Sequence, residues 1–350
     1  MKILFLTRAY GKNAGGMERL SYELVQHASR QPGVESKVIA HWGSRVTSPL
    51  FNFSALLRAL SAARKVDVIH IGDPMLALLG WKLKGLTGKP VAVTVHGLDI
   101  TYPNRFYQLY LKFFFQNFDY YFPISQHVAS LLKNHNMRGQ VAVVKPGISD
   151  RFYDPNITRD QLVTLLSQDL KDKKVLFTSG RLVKRKGHEW FIRDVLPQLP
   201  KNVIYVIAGD GPHFASILEA SRGRPEKVIM LGRVSDEQLK ILYNTVDAFI
   251  MPNIPVENDA EGFGLVLLEA ALCNRPIFAS NLEGIPDAIH DGRNGTLLPP
   301  GNAGAWAASL SHFLVEQSPI HSARPYTLQH FSWEKTAHEF LTALAQRIDK

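Results

Sequence analysis

The chain has 350 residues, 45% of them apolar and 20% charged, with a formal net charge of +9. That length suits two domains of ordinary size, and the composition excludes a disordered or low-complexity protein. No apolar stretch approaches the ~18 residues of a membrane span, and the single cysteine, Cys273, excludes an intrachain disulfide. Cytoplasmic residence is therefore expected. Residues 1–165 hold 20 Lys and Arg against 10 Asp and Glu, whereas residues 166–350 hold 20 against 21. The excess positive charge belongs to the first half, which suits an anionic partner: phospholipid headgroups, a phosphorylated acceptor or nucleic acid.

The apolar run that follows Met1 and Lys2 is four residues long, too short for a signal-peptide core, and Lys2–Thr7 reads as a buried first strand. Gly15-Gly16-Met17-Glu18-Arg19 then opens a helix over Gly16–Ser29. A glycine turn at a helix start after a strand is either a phosphate cradle or a tight turn. Further strands are expected at Ser36–Ala40, Val66–Ile71, Val91–Val95, Tyr120–Pro123 and Val141–Lys145, with a helix at Ser54–Ala63. His96 ends the strand Val91–Val95 where a ligand would bind, and His70 is a weaker candidate at a similar position. Tyr102–Gln116 is rich in aromatic residues, with Arg105 and Lys112 interspersed. It reads either as a helix packed on the sheet or as a basic helix in a membrane interface. Peripheral association with an anionic cytoplasmic leaflet is the hypothesis drawn from it.

Pro146-Gly147 and the polar run Asp169–Lys174 interrupt the pattern, so the domain boundary is expected between about Gly147 and Lys174, with the domains bounded at residue 165. The second half offers strands at Val175–Ser179, Val203–Ala208, Val228–Leu231, Ala248–Met251, Pro276–Ala279 and Gly295–Leu298. Short apolar strands alternating with helices imply parallel sheets covered on both faces, hence two doubly wound α/β domains. The strand Val175–Ser179 leads into Gly180-Arg181-Leu182-Val183-Lys184-Arg185-Lys186-Gly187, the one strongly basic patch of this half. Arg181 can clamp a phosphate with its planar fork, and Lys186 adds a compact charge.

Glu261-Gly-Phe-Gly-Leu-Val-Leu-Leu-Glu269 is the most informative stretch. Gly262 and Gly264 flank Phe263 before an apolar helix over Leu265–Leu272. The first N–H groups of that helix suit a phosphate, and a carboxylate can take both of two vicinal sugar hydroxyls. Glu269 lies among apolar residues, so a buried carboxylate there needs partners. Cys273, on the same helix, reads as a small buried hydrophobe. Trp333–Arg347 reads as a final amphipathic helix with Ser332 as its N-cap. No metal site is apparent: there is no Asp-x-Asp, paired cysteine or His-Glu-x-x-His.

Gly15-Gly16-x-Glu18, His96-Gly97, Gly180-Arg181-x4-Lys186-Gly187, Gly209-Asp210-Gly211-Pro212 and Glu261-x7-Glu269, in that order, resemble the retaining glycosyltransferase family 4. The resemblance implies the GT-B fold, two Rossmann-like domains facing across a cleft: an acceptor domain over 1–165, a nucleotide-sugar domain over 166–330, and a closing helix over 331–350 that crosses back. It implies that His96, Arg181, Lys186 and Glu261 surround the reaction, with Arg181 and Lys186 on the donor diphosphate and Glu261 on the transferred sugar. Glu269 would take the ribose hydroxyls. Gly15 and Gly16 would approach the diphosphate, backbone at Arg233 and Val234 would meet the base, and Gly262, Phe263, Gly264 and Leu265 would meet sugar and phosphate. It implies a metal-independent enzyme without a cofactor, whose partners are a nucleotide-sugar donor, a glycan or lipid-linked acceptor and an anionic membrane surface. Work in envelope polysaccharide or glycolipid synthesis, at the cytoplasmic face of the inner membrane, completes the expectation. The alternatives are a GT-B-fold epimerase, a phosphorylase holding pyridoxal phosphate, or a non-catalytic nucleotide-sugar or polyanion binder. No helix-turn-helix, RRM or finger signature supports nucleic acid as a partner.

Overall fold

A computed structural model describes all residues except 9, 12–15, 41–47, 225, 317–322 and 346–350, and omits the side chains of 48–53. The chain forms two compact units, Met1–Gly147 with the segment from Phe331 onward, and Ile148–His330. Unit 1 holds six strands: β1 (Lys2–Thr7), β2 (Glu35–Ala40), β3 (Val68–Ile71), β4 (Val91–Val95), β5 (Tyr120–Pro123) and β6 (Gln140–Val141). Unit 2 holds β7 (Lys174–Ser179), β8 (Val203–Ala208), β9 (Val228–Gly232), β10 (Ala248–Met251), β11 (Ile277–Ser280) and β12 (Thr296–Leu298). Every strand pair is parallel.

The apolar runs explain the sheets. β3, β4, β8 and β10 are buried at every residue, as strands covered by helices on both faces must be. The strand orders are β2-β1-β3-β4-β5-β6 and β12-β11-β10-β7-β8-β9. In each sheet the order reverses once, between β1 and β3 in unit 1 and between β7 and β10 in unit 2. The carboxyl ends of strands at such a reversal diverge and leave a crevice where ligands bind.

The units divide at Gly147, the early end of the interval expected from the sequence and ahead of the bound at 165. Residues 148–165 join unit 2 because Phe152 packs on Tyr243, with ring centroids 5.2 Å apart, and Arg159 bonds Asp247 at 3.0 Å. The strand expected at Pro276–Ala279 begins one residue later, because Pro276 has no N–H to give a ladder. The segment Tyr102–Gln116 packs on one side only: Leu111 and Phe115 are buried, Tyr107, Tyr110 and Phe114 half-buried, and Phe106, Leu109 and Phe113 exposed. The last helix, Trp333–Ala345, belongs to unit 1, where Phe340 packs against Phe5, His70 and Phe122.

Candidate functional site

In unit 2, the loops after β7 and β10 meet at the strand-order reversal. Lys184–Lys186 form one 3-10 turn, which ends at Gly187 with φ +68°. A Cβ on Gly187 would stand 1.9 Å from the Pro252 carbonyl oxygen, so only glycine lets this basic turn close onto the segment after β10. The closure places Lys186 Nζ 2.7 Å and Arg185 Nη1 2.8 Å from the same oxygen, Oε2 of Glu261. Asn253 Nδ2 donates to it at 3.2 Å, and Arg185 Nε holds Asp259 at 3.0 Å. The Glu261 main chain is fixed as well: its N–H donates to Glu283, and its carbonyl accepts from Gly284 at 3.1 Å.

Glu261 and Lys186 are both buried. Burial pushes the Glu261 carboxyl up, but Lys186 and Arg185 beside it outweigh this and hold it below the ordinary 4.5. Burial lowers the Lys186 ammonium, against the opposing pull of Glu261. A lysine ammonium has three donors, so Lys186 can hold Glu261 and still reach an anion. Arg181 is exposed and, among the described residues, has no ion-pair partner.

The helix Leu265–Leu272 follows Glu261, with Gly264 at its N-cap at φ +93°. A side chain there would be strained and would crowd Leu267 and Met251. Phe263 is buried, and Gly262 and Leu265 are partly exposed. Glu269 is not a solvated helix residue. Its Oε1 accepts from Arg151 at 3.0 Å, and its Oε2 accepts from the Tyr243 hydroxyl at 3.0 Å. Tyr243 in turn bonds Ser179 at 2.7 Å, the last residue of β7 and two before Arg181. The Glu269 network therefore ends beside the loop that carries Arg181 and Lys186. Arg233 follows β9, exposed, with Nε 3.1 Å from Asp210, and Val234 is half-buried. Cys273 is buried, and burial pushes its thiol up to about 12, so it is not a nucleophile.

In unit 1, Gly15 lies outside the described residues, and Gly16 is the exposed first residue of its helix. His96 is half-buried after β4, its Nε2 3.1 Å from the Gly72 carbonyl. A carbonyl only accepts, so Nε2 carries the proton, and Nδ1 is open among the described residues. The Asp99 carboxylate holds the loop by accepting from His96 N–H at 2.9 Å and Gly97 N–H at 2.7 Å. His70 is a core residue. It bonds Thr94 at 2.9 Å, and burial lowers its pKa to about 3. At the β1/β3 reversal, Asp73 takes Arg8 Nε and Met75 N–H on Oδ1, each at 2.9 Å. Its Oδ2 is buried without a hydrogen-bond partner among the described residues.

Sequence reasoning singled out neither Arg151, Tyr243 and Asn253 nor Glu283. Arg185 appeared only as one charge in a basic run. The signal for Tyr243 and Arg151 was indirect, in that Glu269 inside an apolar helix required donors from elsewhere. Glu283 carried no such signal, because its left-handed φ of +54° is a property of the folded loop. Among the described residues, no group of three or more His, Cys, Asp or Glu side chains could hold a metal ion.

Two family models match the chain, Glycosyltransferase Family 4 over residues 14–152 and Glycosyl transferases group 1 over residues 173–316. An uncharacterized glycosyltransferase of Methanocaldococcus jannaschii is 27% identical over 79% of this chain and 74% of its own length. A D-inositol 3-phosphate glycosyltransferase of Mycolicibacterium smegmatis is 29% identical over 62% of this chain. A GDP-mannose-dependent phosphatidylinositol monomannoside mannosyltransferase of the same organism is 28% identical over 51% of it. The chain spans about half the length of these last two relatives. Among solved structures, HepE of Anabaena in complex with UDP-glucose superposes with a TM-score of 0.77 at 20% identity, covering 99% of this chain and all of that one. The sucrose-phosphate synthase of Thermosynechococcus elongatus superposes with a TM-score of 0.77 at 18% identity, covering 99% of each chain. These likenesses give the fold, GT-B, and the two family matches together give the family: the chain is a member of glycosyltransferase family 4.

Proposed function

We propose that this protein moves a sugar from a nucleotide-sugar donor to a glycan, lipid-linked or small-molecule acceptor, with retention of anomeric configuration. The observation that carries the reading is the cluster of buried Lys186 and Glu261 with half-buried Arg185 at the β7/β10 reversal, beside the N-terminus of Leu265–Leu272. Such a site offers cations and helix N–H groups to a diphosphate and carboxylates to hydroxyls. A HepE structure with UDP-glucose and a relative named for GDP-mannose support a nucleotide-sugar donor.

In this reading Arg181, Lys186 and the helix N-terminus take the diphosphate charge as the bond from the anomeric carbon to the diphosphate oxygen breaks. No divalent cation is required. The leaving oxygen accepts the proton of the acceptor hydroxyl, which attacks the same face. Glu261 holds sugar hydroxyls, Glu269 the ribose, and His96 Nδ1 a hydroxyl of the transferred sugar. Backbone at Gly15, Gly16, Gly262 to Leu265, Arg233 and Val234 completes the donor contacts. The protein positions reactants and stabilises charge, and one such charged contact contributes ~3 kcal/mol, a hundredfold in rate. The acceptor belongs to envelope polysaccharide or glycolipid synthesis, reached from the cytoplasmic face of the inner membrane.

The test is nucleotide release from a panel of nucleotide sugars, with and without a chelator, followed by proton NMR of the product's anomeric centre. Release that survives the chelator, with an anomeric coupling matching the donor's, supports the reading. Inversion, or complete loss with the chelator, refutes the corresponding part of it.

A further inference from the structure

We propose that Glu283 is a positioning residue for glycosyl transfer, held in a strained backbone conformation so that its carboxylate fixes the main chain of Glu261; this rests on the transfer reading above. Six non-glycine residues among those described have φ in the left-handed region. Five of them, Asn136, Ser167, Asp172, Asn258 and Asn274, have short polar side chains, the kind that bonds its own backbone and tolerates this conformation. Glu283, at +54°, alone has a long one. Strain of this kind persists only where the surroundings over-determine it.

The Glu283 side chain does not serve its own loop. Its Oε2 accepts the N–H of Glu261, 22 residues away. The next residue makes a second tie, because Gly284 N–H donates to the Glu261 carbonyl at 3.1 Å. A Cβ on Gly284 would stand 2.2 Å from the Gly262 carbonyl oxygen and 2.9 Å from that of Glu261, so the two segments meet as closely as glycine allows. Ser280, the last residue of β11, supports the side chain of Glu261 as well. Its hydroxyl donates to the Asn253 carbonyl at 2.6 Å, and Asn253 Nδ2 holds Glu261 Oε2 at 3.2 Å. Residues 280–284 therefore fix the Glu261 main chain directly and its carboxylate through Asn253.

Folding alone gives no reason for a glutamate here. Glu283 is half-buried beside two other carboxylates, Glu261 and Asp259. Burial pushes its carboxyl above the ordinary 4.5, and the Glu261 charge adds to this against the bond from Glu261 N–H. The left-handed φ and the crowded charge both oppose stability. A residue that opposes stability twice, and whose carboxylate ends on the main chain of a sugar-binding residue, is placed for geometry. Lys186, Arg185 and Asn253 already hold the Glu261 carboxylate. What they leave loose is the backbone from which Gly262 to Leu265 approach the donor. A contact misplaced there by ~1 Å costs about a hundredfold in rate.

The test compares wild type, E283G and E283Q on the nucleotide sugar from which wild type releases nucleotide fastest, and on monodeoxy analogues of that donor sugar. Glycine accepts the left-handed φ but removes the acceptor, whereas glutamine keeps an oxygen for Glu261 N–H. E283G should melt within ~4 °C of wild type, yet its kcat should fall ~10- to 100-fold. E283Q should return to within about threefold of wild type. In wild type at least one monodeoxy analogue should lose ~10-fold in kcat/KM against the full donor, and in E283G only about twofold. A merely less stable enzyme would leave that ratio unchanged. Hydrogen exchange over residues 257–266, measured without donor, should be faster in E283G than in wild type or E283Q. Equal exchange in wild type and E283G overturns the proposal, as does wild-type kcat and discrimination in E283G. So does an E283Q as slow as E283G, which would assign the Glu283 charge to direct contact with the donor. A wild type that releases nucleotide from no donor counts against the transfer reading instead, and the exchange comparison then decides the clamp on Glu261 by itself.

Discussion

The two sheets reverse strand order once each, yet the two crevices are furnished differently. At β7/β10 the buried Glu261 carboxylate meets Lys186, Arg185 and Asn253, and its loop is held by Asp259, Glu283 and Gly284. At β1/β3, among the described residues, the buried Asp73 carboxylate meets one cation, the partly exposed Arg8, and leaves Oδ2 without a partner. One crevice is a completed charge network before any ligand arrives, and the other is half furnished. Preorganised charge suits the role proposed for this side, stabilising a leaving diphosphate. The difference teaches that the same strand order supplies a place to bind, and only the loop residues decide what is bound there.

The largest expected effect is that of Lys186→Ala, which should lower kcat for nucleotide release ~100-fold with a smaller change in KM. Glu261 would keep Arg185 and Asn253, so circular dichroism should still report a folded chain. Glu261→Gln should come next, reducing transfer and also stability by ~3 kcal/mol, because the buried Lys186 loses its counter-charge, while the half-buried Arg185 keeps Asp259. It should also flatten the acid limb of stability. A carboxyl held below its ordinary 4.5 contributes fully above that value and loses its contribution as pH falls through the lowered folded value. Melting temperature measured from pH 7 down to pH 3 checks both statements. Arg185→Ala should raise donor KM more than it lowers kcat, because it orients Glu261 and Asp259 rather than touching the leaving group. The smallest effect belongs to the other crevice: Asp73→Asn should cost ~1 kcal/mol in denaturant unfolding, since Arg8 is partly solvated. If Asp73→Asn proved as damaging as Glu261→Gln, the contrast between the crevices would be wrong.

Much of the framework was legible in the sequence because continuous apolar strands between helical segments have one common solution, the doubly wound sheet. β1, β4, β5, β8 and β10 match their expected bounds. Edge strands read less well: β6 has two residues, because Ala142 and Val144 continue to bond β5 outside regular strand geometry. Motif spacing named Lys186 and Glu261 but not their pairing, since Gly187 closes the turn only against Pro252, 65 residues on. Glu269 gave notice that it needed donors without saying which. Arg151 and Tyr243 are far from it in the chain, and no local pattern links them. The helix at Arg105–Phe114 was ambiguous in sequence because aromatic content alone does not say which side is covered. The Tyr107 and Tyr110 hydroxyl bonds settle which side faces inward.

The central claim is that a nucleotide sugar sits at the β7/β10 reversal with its ribose on Glu269. A thermal-shift screen of nucleotide sugars on wild type and Glu269→Ala tests it most directly. At least one donor should raise the melting temperature of wild type and fail to raise that of the variant. A donor that stabilises both equally, or no response from wild type to any nucleotide sugar, would contradict it.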